Sequence, residues 1–360
     1  MSWVKVSESR WERPANGMES YFISIENLTA SLFGGCYQYT ISSRLKVDYD
    51  LPPSEKERTL RHAWKQLRYL QPQIAATVDG IKKRTFIIFD AIDAEEMSRS
   101  MSPILQATLY YLPRSSELVI RAPHSLIDGV GMAMLCHSYL TALTSPREVA
   151  FGDEVTRLPN SLETLLSHPE PPRAEMMAKA QEIINTFITT PGIGPKNEVG
   201  KVITGPTQRR ELAFSVDSTQ AIMKACKNNG YSVTAAVHAA FIRTLVKHAY
   251  PADDQSKYVA ATNYNLCDIL PEPYNSSDYA AALFDTPWVF RLDPPDTFCK
   301  TVRALDSVYK TTLNSENIEL SGSITRDLYE KMRDPEVLAG PVPRDALASS
   351  LGAFERHLQH

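Results

Sequence analysis

The first half of the chain has several short stretches in which apolar and polar residues alternate, a period of two that predicts half-buried strands. These stretches lie at 37–41, 43–47, 84–89, 107–112 and 117–122. The last two flank a proline- and serine-containing segment at 113–116, so we expect them to pair around a turn.

One stretch in this half instead repeats its apolar residues every three or four positions, as an amphipathic helix does. The repeat includes Leu60 and Trp64, and Pro72 is expected to end the helix. Ser54 and Glu57 precede the repeat with the spacing of a capping box. In that motif the serine covers an unpaired amide and the glutamate reaches back to the start of the helix.

Proline recurs between residues 145 and 206, around a single predicted helix at 173–189. This composition is typical of a connection that runs over the surface rather than of a core element. Regular patterns resume beyond it. Strands are predicted at 210–214, 258–263, 279–284 and 288–290, and helices are predicted from Asp217 or Ser218 to Gly230, from Ser232 to about Lys247, and at 297–313.

This order of strands and helices predicts an α/β (α+β) protein with two lobes. A length of 360 residues exceeds what one hydrophobic core normally serves, which also favours two lobes. We expect an N-terminal lobe at 1–150, an inter-lobe connection at 151–206 and a C-terminal lobe at 207–360.

Composition and charge narrow the function classes. The residues are 43% hydrophobic and 22% charged, as in an ordinary globular protein. The formal net charge of −4 argues against a nucleic-acid partner. No apolar run is long enough to span a membrane, and the start of the chain lacks the apolar core of a signal peptide. The 5 cysteines are widely spaced, which favours a reducing, cytoplasmic setting and no metal site.

The strongest chemical signal is the segment 122–129, in which a predicted strand runs into His124 and is followed by Asp128 and Gly129. An apolar helix is expected from there to about Thr144. A neutral imidazole takes up a proton readily near pH 7, so a histidine held at a strand end can act as a base. We expect Asp128 to pair with an arginine, such as Arg121, and to hold the turn, in which Gly129 relieves a steric clash. A histidine and an aspartate at this spacing also occur by chance.

This segment resembles the HxxxDG active-site motif of the chloramphenicol-acetyltransferase/condensation-domain superfamily, which includes BAHD acyltransferases and fungal trichothecene O-acetyltransferases. The fungal branch is also similar at 11–19, 60–68, 72–75, 231–240 and 349–352. The resemblance therefore covers most of the chain, but the histidine motif is its one chemically specific part.

The resemblance implies two chloramphenicol-acetyltransferase-like lobes, with mixed sheets flanked by helices and an active-site tunnel between the lobes. His124 is then the general base, and Asp128 and Gly129 support the motif. The implied reaction moves an acyl group, with acetyl as the expected one, from acyl-CoA to a hydroxyl of a small hydrophobic secondary metabolite. Acyl-CoA is a co-substrate, and no bound cofactor or metal is expected. The implied protein is a monomer without an acyl-enzyme intermediate.

The sequence departs from the family pattern in the second lobe. No Asp-Phe-Gly-Trp-Gly-like loop is present, and the nearest string runs from Asp285 to Trp288. Cys267 stands where relatives often carry an arginine. The chain stops at His360, short of where relatives generally continue, so we expect a shortened second lobe. Asn265, Asp285 and Trp288 are the candidate substrate-binding residues in this region.

Two alternatives stay open on these departures. The same fold could use His124 for cyclisation, rearrangement or condensation of a secondary-metabolite intermediate without CoA. The chain could also be a degenerate, non-catalytic paralogue.

Overall fold

The structure is a computed structural model that describes residues 3–7, 10–32, 39–48, 50–77, 80–81, 85–88, 104–189, 192–195, 208–249, 257–293, 297–339 and 347–359. Its strands are β1 (Val4–Ser7), β2 (Arg10–Glu12), β3 (Thr40–Lys46), β4 (Ala76–Thr77), β5 (Gly80–Ile81), β6 (Thr85–Ile88), β7 (Thr108–Leu112), β8 (Glu117–Pro123), β9 (Tyr258–Asn265) and β10 (Asp285–Leu292). Its helices are α1 (Gly17–Leu32), α2 (Pro53–Leu70), α3 (Gly129–Thr144), α4 (Leu162–Leu165), α5 (Ala174–Thr189), α6 (Val216–Asn228), α7 (Val233–His248), α8 (Phe298–Thr312), α9 (Ser315–Lys331) and α10 (Pro335–Leu338). Short 3₁₀ helices lie at Pro72–Ala75, Glu154–Arg157, Cys267–Ile269, Ser277–Tyr279 and Phe354–Arg356.

The chain divides into two compact units that are not contiguous in sequence. The first unit comprises Met1–Pro169, Asn265–Asp285 and Ala353–His360, and the second comprises Glu170–Tyr264 and Thr286–Gly352. This grouping differs from the contiguous lobes expected at 1–150 and 207–360, because segments of the later sequence pack into the first unit. The surface connection at 151–206 stays a prediction.

The first unit is built on a four-stranded sheet in the order β3-β8-β7-β6. Strand β3 pairs with β8 in antiparallel register, with Thr40 opposite Pro123 and Lys46 opposite Glu117. Strands β7 and β8 form the hairpin that the alternation predicts, and β6 is parallel to β7. The stretches 37–41 and 43–47 give one strand, β3, rather than two. Residues 37, 38, 84 and 89 of the predicted strands lie outside the described residues.

Helices α2 and α3 cover this sheet with the apolar residues that predicted them. Leu60 and Trp64 of α2 and Tyr139 of α3 are fully buried in one core, and the Tyr139 hydroxyl donates to the Leu60 carbonyl at 3.2 Å. Burial of each such side chain contributes about 1.5–3 kcal/mol. Helix α2 ends at Leu70, before Pro72, as predicted.

The predicted capping box at the start of α2 is wrong. The helix begins at Pro53, its N-cap Pro52 makes no side-chain cap bond, and Glu57 instead pairs with Arg61 at 2.7 Å. A proline at the first helical position has no N–H that needs a partner. The helix start therefore has one fewer of the unpaired amides that Ser54 was expected to cover.

Helix α1, which the hydrophobic pattern did not reveal, begins with a different capping box. The Asn16 side chain accepts from the Glu19 N–H at 2.7 Å, and the Glu19 carboxylate accepts from the Asn16 N–H at 2.9 Å. Arg13 donates two hydrogen bonds to the same carboxylate, and both side chains of this ion pair are almost fully buried. The start of α1 is therefore fixed by a buried charge pair.

The second unit packs α5 against α9 and α7 against α8. The structure confirms four predicted elements of this part of the chain, which are α5, α8, β9 and α7 with its Ser232 cap. The cap of α6 is corrected: Ser215 accepts from the Ser218 N–H at 3.2 Å, rather than Asp217 or Ser218 acting as the cap.

Two strand predictions in the later sequence are wrong. The segment 210–214 has no regular structure and exposes Leu212 and Phe214, so its alternation does not mark a buried face. The segment 279–284 leaves a 3₁₀ helix and continues as a buried irregular segment. The strand starts only at Asp285 and includes the predicted 288–290.

His238 on α7 lies in the core of the second unit, as its apolar neighbours suggest. One ring nitrogen is 2.8 Å from the Tyr309 hydroxyl and the other is 2.7 Å from the Tyr258 hydroxyl. The residue is 2% exposed, and burial lowers the pKa of His238 to about 4. His238 is thus a packed, neutral histidine at pH 7.

We expect this histidine to make the protein less stable on acidification. Because its pKa in the folded chain lies below the ordinary unfolded value of about 6.5, the unfolded chain takes up the proton first. The free energy of unfolding should fall by on the order of 3 kcal/mol between pH 6.5 and pH 4, with no further loss from this group below pH 4. Urea unfolding across this range should show the loss. A His238→Gln variant should lack this component, and an equal pH dependence in both proteins would contradict it.

Candidate active site

The HxxxDG segment forms the turn between β8 and α3. The His124 N–H donates to the Tyr39 carbonyl at 2.8 Å, which continues the β3–β8 pairing by one residue. The Leu126 N–H donates to the Pro123 carbonyl at 3.0 Å and closes the turn. The backbone on both sides of the histidine is therefore held by regular structure.

The His124 imidazole lies against aromatic rings. The Phe22 ring is 4.3 Å away at an interplanar angle of 16°, and the Tyr39 ring is 5.4 Å away at 22°. Burial lowers the pKa of His124, whereas hydrogen bonding with the backbone of His124 itself and of Ile127 raises it. Nδ1 is buried and makes no hydrogen bond to a described residue. A lowered pKa keeps the ring neutral at pH 7, which is the form that can accept a proton.

Asp128 ties this turn to a distant segment of the first unit. One carboxylate oxygen accepts from the Gly131 N–H at 2.7 Å, which makes Asp128 the N-cap of α3. The other accepts from the Phe284 N–H at 2.8 Å, and the Asp128 N–H donates to the Ala282 carbonyl at 3.3 Å. The side chain is 3% exposed, and burial raises the pKa of Asp128 while these N–H groups oppose the shift.

The expected pairing of Asp128 with an arginine is wrong for Arg121. Arg121 interacts with the Tyr110 hydroxyl on the neighbouring strand, and the aspartate oxygens are taken by backbone N–H groups. Backbone donors at a helix start satisfy a carboxylate without a cation, since the helix dipole also favours a negative charge there.

Two further residues fix the same contact and were not singled out from the sequence. A Cβ at Gly131 would lie 2.4 Å from the Ala280 carbonyl oxygen, so only glycine allows α3 to approach this backbone. The Gln71 side chain donates to the Ser277 carbonyl at 2.7 Å and accepts from the Ala281 N–H at 3.1 Å. The glycine pair around Val130 was a visible signal, whereas nothing local distinguishes Gln71. Gly129, the predicted supporting glycine, is the first residue of α3.

Cys267 and two of the predicted substrate-binding residues lie near this turn. Burial raises the pKa of the Cys267 thiol to about 12, and the charges of Asp128 and Asp285 act in the same direction. The Asn265 side chain is engaged locally, accepting from the Cys267 N–H at 3.0 Å and donating to its sulfur at 3.4 Å. The buried charge of Asp285 also contributes to the raised pKa of Tyr39. The Cys267 thiol therefore stays protonated at neutral pH.

The other residues to place are Trp288, Ser125 and Cys136. Trp288 is half-buried in β10 and belongs to the second unit. Ser125 and Cys136 are buried, and burial raises the pKa of Cys136 to about 11. A nucleophilic role needs a deprotonated or base-activated group, so both residues fit a packing role. Within the described part of the chain, no group of three or more potential metal ligands is found, and no helix is long and apolar enough to cross a membrane.

No protein-family model matches the chain, but individual proteins do. The chain is 26% identical over 379 aligned positions to the acetyltransferase pigO of Monascus ruber, a match covering 99% of this chain and 83% of that protein. It is 30% identical over 331 positions to the O-acetyltransferase pigM of the same organism, covering 85% of this chain and 64% of pigM. Its fold is similar to that of the trichothecene 15-O-acetyltransferase TRI3 of Fusarium sporotrichioides, with a TM-score of 0.74, 16% identity, and coverage of 100% and 84%.

His124 lies at a strand–turn–helix junction, and the relatives of this α/β chain are named acetyltransferases. The protein is an acyltransferase. The chain has the fold of TRI3, as expected for the chloramphenicol-acetyltransferase/condensation-domain fold. The expected resemblance, fold class and enzyme class are confirmed.

Replacing Asp128 by asparagine should destabilise the protein. The carboxylate accepts from two buried N–H groups, those of Gly131 and Phe284, and the asparagine NH₂ group would place a donor against one of them. We expect the free energy of unfolding to fall by about 2–3 kcal/mol. The matched control is Thr297→Ala, which removes the single side-chain cap bond from the Lys300 N–H at the start of α8 and should cost about 1 kcal/mol. Urea unfolding measures the loss in each variant. An equal loss in the two variants would contradict a stabilising hydrogen bond from the Phe284 N–H to Asp128.

Replacing Gly131 by alanine should also destabilise the protein, although Gly→Ala within a helix ordinarily stabilises by about 0.5–1 kcal/mol. The new Cβ meets the Ala280 carbonyl, which is backbone and cannot rotate away. We expect a loss of about 1–3 kcal/mol, as in overpacked cores. Thermal unfolding measures the change, and a raised melting temperature would show that α3 does not depend on this close approach.

Proposed function

We propose that the protein transfers an acyl group from a CoA thioester to a hydroxyl group of a small molecule, with His124 as the general base. The observation that supports this most directly is the His124 ring. It is held at a strand–turn–helix junction, remains partly exposed, and has a lowered pKa, so it is neutral at the pH of the reaction.

The proposed step balances without a covalent enzyme intermediate. The hydroxyl oxygen attacks the thioester carbonyl carbon while His124 takes the hydroxyl proton. The tetrahedral intermediate then expels the CoA thiolate, which receives that proton from the imidazolium. The products are the ester and free CoA thiol, and His124 returns to its neutral form.

Acetyl-CoA is the proposed donor and the hydroxyl of a small hydrophobic secondary metabolite is the proposed acceptor. Relatives that cover most of the chain are named as acetyltransferases, one of them as an O-acetyltransferase, and TRI3 is described as acting on an oxygen of a trichothecene. The protein contacts the acceptor and acyl-CoA as its partners, and no metal or bound cofactor takes part. We also propose that it acts as a monomer in the cytoplasm, which is consistent with free Cys136, Cys226, Cys267 and Cys299 in the described residues.

Asp128 and Gly129 act in this proposal by holding the turn, not by touching the substrate. Among the proposed substrate-binding residues, Asp285 has the best support because its charge acts on Tyr39, which stacks on His124. Asn265 is engaged with Cys267, and Trp288 is proposed only from its place in the sequence.

A second candidate keeps the fold and His124 but uses no CoA, promoting cyclisation, rearrangement or condensation of a bound intermediate. The observation that favours it is Cys267, a protonated thiol at the position where relatives often carry arginine. A thiol cannot replace the two-pronged hydrogen bonding of a guanidinium.

The test is release of free thiol from acetyl-CoA in the presence of candidate alcohols. His124→Gln should lower kcat by about 10²–10⁴-fold, the usual contribution of a general base. In the wild type, kcat should fall as the pH drops through the His124 pKa, and this limb should lie below the ordinary histidine value of about 6.5.

The matched control is His62→Gln, since His62 is a partly buried histidine of α2 that contacts the Arg147 carbonyl at 3.1 Å. This variant should retain wild-type activity. Full activity in His124→Gln would refute the proposed base. The absence of CoA binding in calorimetry, with tight binding of a hydrophobic intermediate, would favour the second candidate.

A further inference from the structure

The His124 ring belongs to a set of three nearly parallel aromatic rings. Phe22 and Tyr39 stack on each other at 5.4 Å and 20°, and both stack on His124. Phe22 is 3% exposed and makes the closer contact, whereas Tyr39 is 40% exposed. The buried ring of this set is therefore the one that covers the imidazole most closely.

No carboxylate among the described residues fixes the plane of the imidazole through Nδ1. A histidine base is commonly oriented by a hydrogen bond from its second ring nitrogen to a carboxylate or a carbonyl. Here Nδ1 has no hydrogen-bond partner among the described residues, and both Asp128 oxygens accept from backbone N–H groups. The backbone of His124 and of Ile127 acts on the ring, and contact with the neighbouring rings adds a side-chain restraint on its rotation.

Phe22 is itself held firmly. Its helix, α1, starts at the Asn16–Glu19 capping box, and Arg13 binds the Glu19 carboxylate through two nitrogens. The Glu163 side chain accepts from the Gly17 N–H at 2.8 Å. One turn further along α1, Phe22 packs with Met18 and Leu283 in a buried apolar cluster.

We propose that Phe22 is a positioning residue for acyl transfer: its ring fixes the plane of the His124 imidazole and shields one side of it from water. The proposal rests on the proposed function, in which His124 is the base. Phe22 acts through His124 and has no chemistry of its own. Misplacing a reacting group by about 1 Å can cost about 100-fold in rate, so a restraint on one ring plane is large enough to measure.

Among the described residues, the titratable side chains that contact or act on these rings are Tyr21, Tyr39 and Asp285. Tyr21 directly precedes Phe22 on α1, and its pKa is raised to about 12 by burial and by Tyr39. Asp285 faces Tyr39 from the start of β10. Neither tyrosine ionises near pH 7, and burial is the main cause of the lowered His124 pKa. Opening the site by removing the Phe22 ring should therefore move the His124 pKa upward.

The main variant is Phe22→Leu, which keeps an apolar side chain but removes the ring. We expect kcat for acetyl transfer to fall by about 10- to 100-fold, with KM for acetyl-CoA changed less than about twofold. Phe22→Tyr keeps the ring and should retain most of the activity. Phe22→Met fills the volume flexibly and replaces the leucine variant if that one does not fold.

The matched control is Met18→Ala on the same helix. Met18 is as buried as Phe22 and shares its cluster, but it has no ring. This variant should lower the melting temperature while leaving kcat and the pH profile close to those of the wild type. It separates loosening of α1 from loss of the ring.

The second measurement needs no substrate. Histidine-selective NMR, with the His124 signals assigned by their absence in His124→Gln, gives its pKa and its ring-proton shifts. In Phe22→Leu the pKa should rise toward the ordinary value of about 6.5, and the upfield shift caused by the stacked ring should be lost. In Met18→Ala both should stay as in the wild type.

The outcomes separate this proposal from the proposed function. Unchanged kcat and unchanged His124 signals in Phe22→Leu would overturn the positioning role, and so would equal effects of Met18→Ala at equal loss of stability. Failure of the proposed function would show instead as full activity in His124→Gln. Loss of kcat together with the shifted His124 signals, restored by Phe22→Tyr, supports the proposal.

Discussion

The Asp128 carboxylate, buried between two backbone N–H groups, is the interaction on which the site depends. A buried carboxylate is costly unless each oxygen finds a donor, and here one donor lies at the start of α3 and the other in the segment before β10. The same carboxylate thus starts a helix and joins two parts of the chain that are far apart in sequence. Gly131 and Gln71 act on the same contact, because one permits the close approach and the other hydrogen-bonds the facing backbone.

The histidine is held differently from the aspartate. Its backbone is held by the β3–β8 ladder, and its ring stacks on Phe22 of α1 and on Tyr39. The two motif residues are therefore supported by separate elements. On our proposal, loss of the aspartate contact would affect folding first, whereas loss of the aromatic contact would affect the reactivity of the folded protein.

Local patterns predicted the elements that carry the motif but not the contacts that complete the site. The β7–β8 hairpin and α3 could be predicted because their signals, alternation and an apolar helix after an Asp-Gly pair, lie within short stretches. The segment 279–284 is apolar because it is buried by distant partners, and the pattern was wrongly taken as a strand. Helix α1 was missed although Asn16 and Glu19 have capping-box spacing. The stacking of Phe22 on His124 joins residues about a hundred positions apart, which no local pattern contains.

The Arg13–Glu19 pair has a consequence for how this sequence can change over generations. Both side chains are buried, so loss of either one leaves a charge without its partner and without water. A single substitution at either position is therefore strongly disfavoured, whereas a paired replacement by two apolar residues need not be. Residues 13 and 19 should therefore change together, and through α1 this constraint extends to Phe22, the ring that stacks on His124.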